Sequence, residues 1–246
     1  MMGLFSDHQP MFVEVETTTY CNRRCTYCPN SVFDRGLRKN EVQMPEDLFH
    51  KIVQDLGRNH FCMQFSPHNY GEPLADPRMP HLLEMARYEM PKARIALYTN
   101  GDFLTPQLFE KLNPSVDAFV ITQHGEKMPP GVKEIFDASG GSHPKIRYKT
   151  AQMIKANASN RAGLIPMQIK RREACGVVMN ELHINAHGQL ILCCEDFLAQ
   201  KVFGNMRDMT IEEAWSSEER LRVHRGNVRG DFTLDQCVTC GHGRIT

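Results

Sequence analysis

The chain has no surplus of charge of either sign. Its 246 residues hold 29 basic and 29 acidic side chains, so it lacks the positive field through which proteins attract nucleic acid non-specifically. No nucleic-acid partner is expected. No apolar run approaches the roughly 20 residues that span a bilayer, so no membrane partner is expected either. The opening MMGLFSDHQP lacks a basic segment followed by an apolar one, which makes the cytoplasm the expected compartment. There is also no even set of cysteines: nine are present, and an odd number without an export signal argues against a disulfide framework. Metal or redox chemistry accounts for them better. What remains is ordinary for a globular protein, 41% apolar and 24% charged, enough to bury a core.

The first half alternates strand and helix. Residues 11–18 (MFVEVETT) set apolar Phe12, Val13 and Val15 against Glu14 and Glu16 and read as a strand delivering a loop. A helix is expected over 45–57, with Pro45 in its first turn and Gly57 ending it. Strands are expected near 61–66, 94–99, 117–122 and 145–150, with helices over 81–90 and 105–112 between them. Strand and helix in alternation imply crossover units and a parallel sheet. At roughly 30 residues per unit, residues 11–150 hold about five. A complete eight-stranded barrel needs about 250 residues on its own, so the expectation is α/β: a partial, open parallel barrel of about five to six strands.

Beyond residue 165 the texture changes. ELHINAHGQLILCCEDF (181–197) reads as a hairpin turning at His187-Gly188. Thr210 and Glu213 form a capping box that starts a helix over 210–223. This tail is short of core residues and calls for a staple such as a metal. The expected division is residues 1–165 for the barrel and 166–246 for a small hairpin and helix domain.

Cys21, Cys25 and Cys28 stand as C-x3-C-x2-C in YCNRRCTYCPN, directly after the first expected strand. Three thiolates can ligate three irons of a cubane cluster and leave the fourth open to a ligand. Zinc remains the alternative on spacing alone, though it usually takes four ligands from paired C-x2-C groups. The loop, with Tyr27 just before its last cysteine, resembles the signature of radical S-adenosylmethionine (radical SAM) enzymes. Tyr70-Gly71-Glu72-Pro73 resembles that family's GGEP motif, with a phenol in place of the first glycine. Tyr98-Thr99-Asn100-Gly101 resembles its ribose-contacting strand end, and Gln123-His124 closes a further strand. The resemblance implies a 4Fe-4S cluster on Cys21, Cys25 and Cys28, S-adenosyl-L-methionine held near Tyr27, Gly71, Glu72, Asn100, Gln123 and His124, and a flavodoxin or ferredoxin as reductant.

Cys175, Cys193, Cys237 and Cys240 can close a second cubane without an open iron, suited to electron transfer and stapling, with structural zinc again the alternative. Their arrangement resembles the auxiliary-cluster domain called Twitch. The segments CNRRCTYCPNS, YGEPL, YTNGDFL, VITQH, SNRAG and CCEDF are similar to those of radical SAM dehydrogenases of aminocyclitol antibiotic biosynthesis. The implied reaction oxidises a secondary alcohol of a cyclitol, aminocyclitol or sugar-like substrate, the auxiliary cluster accepting the second electron. Arg161 corresponds by resemblance to an arginine on the substrate hydroxyl. Glu195, two residues past Cys193, and Tyr70 are candidate pocket residues. Cys194 stands where that branch has an aromatic residue; a packing residue, an alternative cluster ligand and a hydrogen-atom donor are all open readings. The third would make the enzyme an epimerase, for which Cys62, in an expected strand, is a second candidate. A zinc-stapled binding module is the reading from another class.

Overall fold

The computed structural model describes residues 9–155, 158–167 and 173–241. Residues 1–8, on which the reading of the opening stretch largely rests, lie outside them.

Eight strands make one sheet in the order β5-β4-β3-β2-β1-β6-β7-β8. They are β1 (Phe12–Val15), β2 (Gln64–Ser66), β3 (Arg94–Thr99), β4 (Ala118–Gln123), β5 (Ile146–Thr150), β6 (Glu181–Ile184), β7 (Gln189–Ile191) and β8 (Val202–Asn205). The first six pair in parallel, β1 lying between β2 and β6, and β7 and β8 continue antiparallel. The expected open parallel barrel is therefore present. The hairpin is an extension of its sheet and not a separate layer, because β6 pairs along the whole of β1.

The helices are α1 (Glu46–Arg58), α2 (Met79–Glu89), α3 (Pro106–Leu112), α4 (Pro130–Ala138), α5 (Ala151–Lys155), α6 (Val177–Asn180), α7 (Ile211–Trp215), α8 (Glu218–Arg229) and α9 (Asp235–Thr239). Alternation along the strands sorts the sheet into two faces. Val13, Val15, Phe65, Ile95, Leu97, Phe119, Ile121, Leu182 and Ile184 join the residues of α1 to α4 in one buried core. The other face carries Phe12, Glu14, Gln64, Ser66, Tyr98, Glu181 and His183, a polar lumen. Leu190, Leu192, Phe203, Met206, Ile211, Ala214, Trp215 and Val223 belong to the same core, so the tail, with little core of its own, shares the barrel's.

Three local expectations need correction. Gly57 does not end α1: a Cβ there would stand 2.3 Å from the Glu89 carbonyl oxygen, so this glycine lets α1 and α2 approach, and the helix runs on to Arg58. The helix expected over 210–223 breaks at Ser216-Ser217 into α7, which has the Thr210/Glu213 capping box, and α8. Cys62 lies outside β2 and is exposed.

Candidate functional site

Parallel strands deliver their following loops to one edge of the sheet, where α/β folds place ligands. The cysteine loop follows β1, Tyr70-Gly71-Glu72 follows β2, Asn100 follows β3, His124 follows β4 and Ser159 to Arg161 follow β5.

The loop carrying Cys21, Cys25 and Cys28 is anchored from several sides. Asn22 donates to Asp102 at 2.7 Å and accepts from Asn100 Nδ2 at 2.7 Å, and Arg23 binds both Asp102 oxygens at 2.6 and 2.7 Å. Asn30 Nδ2 donates to the Tyr70 carbonyl at 3.0 Å. Gly71 admits the loop's approach, since a Cβ would fall 1.8 Å from the Thr18 oxygen, and the Glu72 amide donates to Tyr20 at 2.7 Å. The Glu72 carboxylate, fully buried, accepts from Thr99 Oγ1 at 2.6 Å, the Asn100 amide at 2.8 Å and the Leu74 amide at 3.0 Å. Burial outweighs these donors and raises its pKa to about 7. The Tyr27 hydroxyl is hydrogen-bonded to His124 Nδ1, an imidazole whose pKa is pushed down by burial and then by Arg23. Both line an open cleft of about 310 Å3 with Arg23, Arg24, Cys25 and Lys155. Gln123 has both ends of its amide engaged, donating to Gly125 at 2.9 Å and accepting from Tyr148 at 2.7 Å.

On the other side, Cys175, Cys193, Cys237 and Cys240 line a single cavity with Asn227, Asp196 and Glu195 among its walls. Asn227 donates to Cys237 Sγ at 3.6 Å and accepts the Cys175 amide at 2.9 Å. The donor sets suit iron–sulfur clusters. Among the described residues no three of these seven sulfurs gather within 4.8 Å, whereas sulfurs at about 2.3 Å from one zinc ion lie closer together than that. Burial raises all three loop thiols, Cys21 to about 12, and lifts Cys193 and Cys237, the latter to about 11; metal cations offset that cost when thiolates bind them.

Between the two cysteine sets stand the expected pocket residues. Arg161 Nη1 donates to Glu195 Oε1 at 3.1 Å, and Ser159 Oγ donates to Glu195 Oε2. Arg161 adopts φ +50°, a left-handed conformation rare outside glycine and common at functional sites. Burial opposes its charge, but Tyr70, Glu195, Cys194 and Cys28 raise its pKa above the ordinary arginine value. The guanidinium carbon lies 5.7 Å from the Tyr70 ring. Tyr70 donates its hydroxyl to the Cys194 carbonyl and packs edge-on to Phe197 at 4.7 Å. Asn160 ties this loop to the cluster segment, donating to the Thr239 carbonyl at 2.8 Å and accepting from the Gly241 amide at 2.8 Å. Cys194 is not among the residues that line the four-cysteine cavity; its Sγ is 4.0 Å from Glu195 Oε1.

Sequence reasoning missed Ser159, Asn160, Asn22 and Asp102, all of which lie inside or beside the quoted motifs. It also missed Glu14, His68, Glu181 and His183, which meet in the lumen. For Glu14, Glu181 and His183 the available signal was their alternation with Val13, Val15, Leu182 and Ile184; His68, in the loop after β2, carried none.

Comparisons with known proteins agree with this geometry. Residues 15–160 match the model of the Radical SAM superfamily, and residues 175–241 match SPASM, an iron-sulfur cluster-binding domain. The chain is 32% identical over 243 residues, 94% of its length and 92% of the relative's, to the S-adenosyl-L-methionine-dependent 2-deoxy-scyllo-inosamine dehydrogenase of Niallia circulans. It is similar to the crystal structure of BtrN in complex with AdoMet and 2-DOIA, with a TM-score of 0.86 at 28% identity, covering 96% of this chain and 95% of that one. Against BtrN in an open conformation the TM-score is 0.75, again at 28% identity, over 96% and 94%.

Proposed function

Since the chain belongs to the radical SAM superfamily and carries an iron-sulfur cluster-binding domain, we propose that it is a dehydrogenase oxidising a secondary alcohol of a cyclitol, aminocyclitol or sugar-like substrate to a ketone. Its cofactors are a 4Fe-4S cluster, S-adenosyl-L-methionine and a further iron–sulfur cluster. When bound, they supply a 5′-deoxyadenosyl radical that takes the carbinol hydrogen atom and an acceptor for the electron left behind.

The observation that carries this reading is the turn Cys193–Glu195. Cys193 lines the four-cysteine cavity, and Glu195 both reaches that cavity and bonds Arg161, so a substrate on the Arg161–Glu195 pair lies against the acceptor. In this reading Cys21, Cys25 and Cys28 hold the first cluster and Cys175, Cys193, Cys237 and Cys240 the second. Tyr27, Gly71, Glu72, Asn100, Gln123 and His124 surround S-adenosylmethionine, with Gln123 acting through Tyr148 and Gly125. Arg161 stays protonated and polarises the substrate hydroxyl. Glu195, oriented by Ser159, accepts that hydroxyl's hydrogen bond and would take its proton as the ketone forms. The Tyr70 ring lies against the guanidinium. The family matches at 15–160 and 175–241 support a division of the chain at residues 1–165 and 166–246. The cleft with Arg23, Arg24 and Lys155 beside Cys25 suits an acidic flavodoxin or ferredoxin, and nine free cysteines suit the reducing cytoplasm.

Mass spectrometry with a panel of aminocyclitols in deuterated buffer tests the reading: the product should lack two hydrogens, with one deoxyadenosine formed per turnover. A product about one mass unit heavier than the substrate, with a solvent deuterium at carbon, would overturn it in favour of an epimerase. Cys194, close to Glu195, is the thiol that makes this the second reading; Cys62, exposed beside the N-terminal end of β2, is poorly placed for it. Arg161→Lys keeps the charge and loses the fork, so kcat/KM should fall about a hundredfold while uncoupled deoxyadenosine formation persists. A change within about threefold would remove Arg161 from the substrate.

A further inference from the structure

Four lumen residues have no part in that reading. The His183 side chain is fully buried, with Nδ1 2.7 Å from Glu14 Oε2 and Nε2 3.1 Å from Glu181 Oε2. One oxygen of Glu181, a ring nitrogen of His183 and Sγ of Cys194 all lie within 4.8 Å of one another, the only such trio among the described residues. Behind them, Glu14 Oε1 is 3.7 Å from His68 Nε2. His68 is itself held by Ser66 Oγ at 2.8 Å and stacked on Tyr98 at 4.7 Å.

We infer that Glu181, His183 and Cys194 form a mononuclear site for a divalent transition-metal ion, zinc by the chemistry of its donors, separate from both cysteine sets. A thiolate, an imidazole and a carboxylate are the ligand types zinc takes, and three protein ligands leave a fourth position for water or a substrate oxygen. Glu14 fits the role of the carboxylate that accepts Nδ1–H and turns Nε2 toward a metal, an arrangement that ligating histidines nearly always show. The one buried imidazole serves two carboxylates, and among the described residues the Cys194 thiol makes a long hydrogen bond at 4.0 Å to a third, Glu195. Binding releases the Nε2 proton and the thiol proton to solvent as the ion arrives with two positive charges, so the net charge of the cluster is unchanged. The site does not depend on the dehydrogenase reading. It does bear on Cys194: a thiolate bound to zinc has no hydrogen atom to donate.

The test uses anaerobic holoenzyme with its iron intact, dialysed against zinc chloride. Metal analysis should find one zinc per chain beside unchanged iron, and zinc K-edge absorption should give a shell of one sulfur with nitrogen and oxygen. His183→Gln and Cys194→Ser should each weaken zinc binding by at least about a hundredfold, and Glu14→Gln by about ten- to a hundredfold. Iron per chain reports that each variant is intact; if one loses iron, the other decides. Absence of zinc, an all-sulfur shell, or undiminished affinity in an iron-replete variant would each overturn the inference.

Discussion

Cys28→Ala is expected to leave about four irons per chain in place of about eight and to lower deoxyadenosine formation by at least about a thousandfold, the scale on which losing one member of a reacting unit acts. The loop geometry makes this a clean substitution. Cys28 shapes its turn through the backbone, its amide donating to Cys25 at 2.9 Å and its carbonyl accepting from Ser31 Oγ at 2.8 Å. Asn30, Arg23 and Asn22 hold the loop independently of the sulfur. An alanine therefore removes a ligand and keeps the fold. Cys193→Ala gives the contrasting arm: about half the iron is lost from the other set, deoxyadenosine is still formed, and ketone is not. Iron counts and product assays on the two variants should diverge in this way. Ketone production by either would sink the assignment of its cysteine set.

Gly71→Ala should be strongly damaging, the added Cβ making the tightest contact of any described glycine. The new carbon would stand 1.8 Å from the Thr18 oxygen and 2.8 Å from its carbonyl carbon, and backbone cannot swing aside as a long side chain can. Separating these segments stretches the bond from the Glu72 amide to Tyr20 and tilts the Glu72 carboxylate away from Thr99 and Asn100. Overpacking of this kind costs about 3 kcal/mol, which in a chain of this size lowers Tm by roughly 6–12 °C. Calorimetry of the iron-loaded protein measures it, and S-adenosylmethionine affinity should fall with it. A Tm shift under about 2 °C would show that the contact relaxes freely.

Where local signals agreed, the chain was readable in advance. β3 occupies 94–99 as expected because an apolar run lies between a helix and the turn-forming Asn100-Gly101. The two cysteine sets were readable because metal-ligand spacing is a local property. Pairing across long separations was not. Nothing local indicates that β6 lies beside β1, so Glu14 and His183, 169 positions apart, gave no sign of meeting. Gly57 was misread because a glycine that ends a helix and one that admits a neighbouring helix look identical in sequence. Ser159 and Asn160 were quoted without roles since their partners, Glu195 and the Thr239 carbonyl, lie far along the chain.

The place of β1 at the centre of the sheet has a consequence for biosynthesis. One of its edges pairs with β2 about fifty residues on, but the other waits for β6, roughly 170 residues later. A growing chain emerges at about 5–20 residues per second, so this edge stays open for some ten seconds or more. An unpaired central edge invites contact with other nascent chains, and late closure makes folding slow. Truncations that stop before residue 181 should therefore aggregate, although they contain the whole of the first cysteine loop.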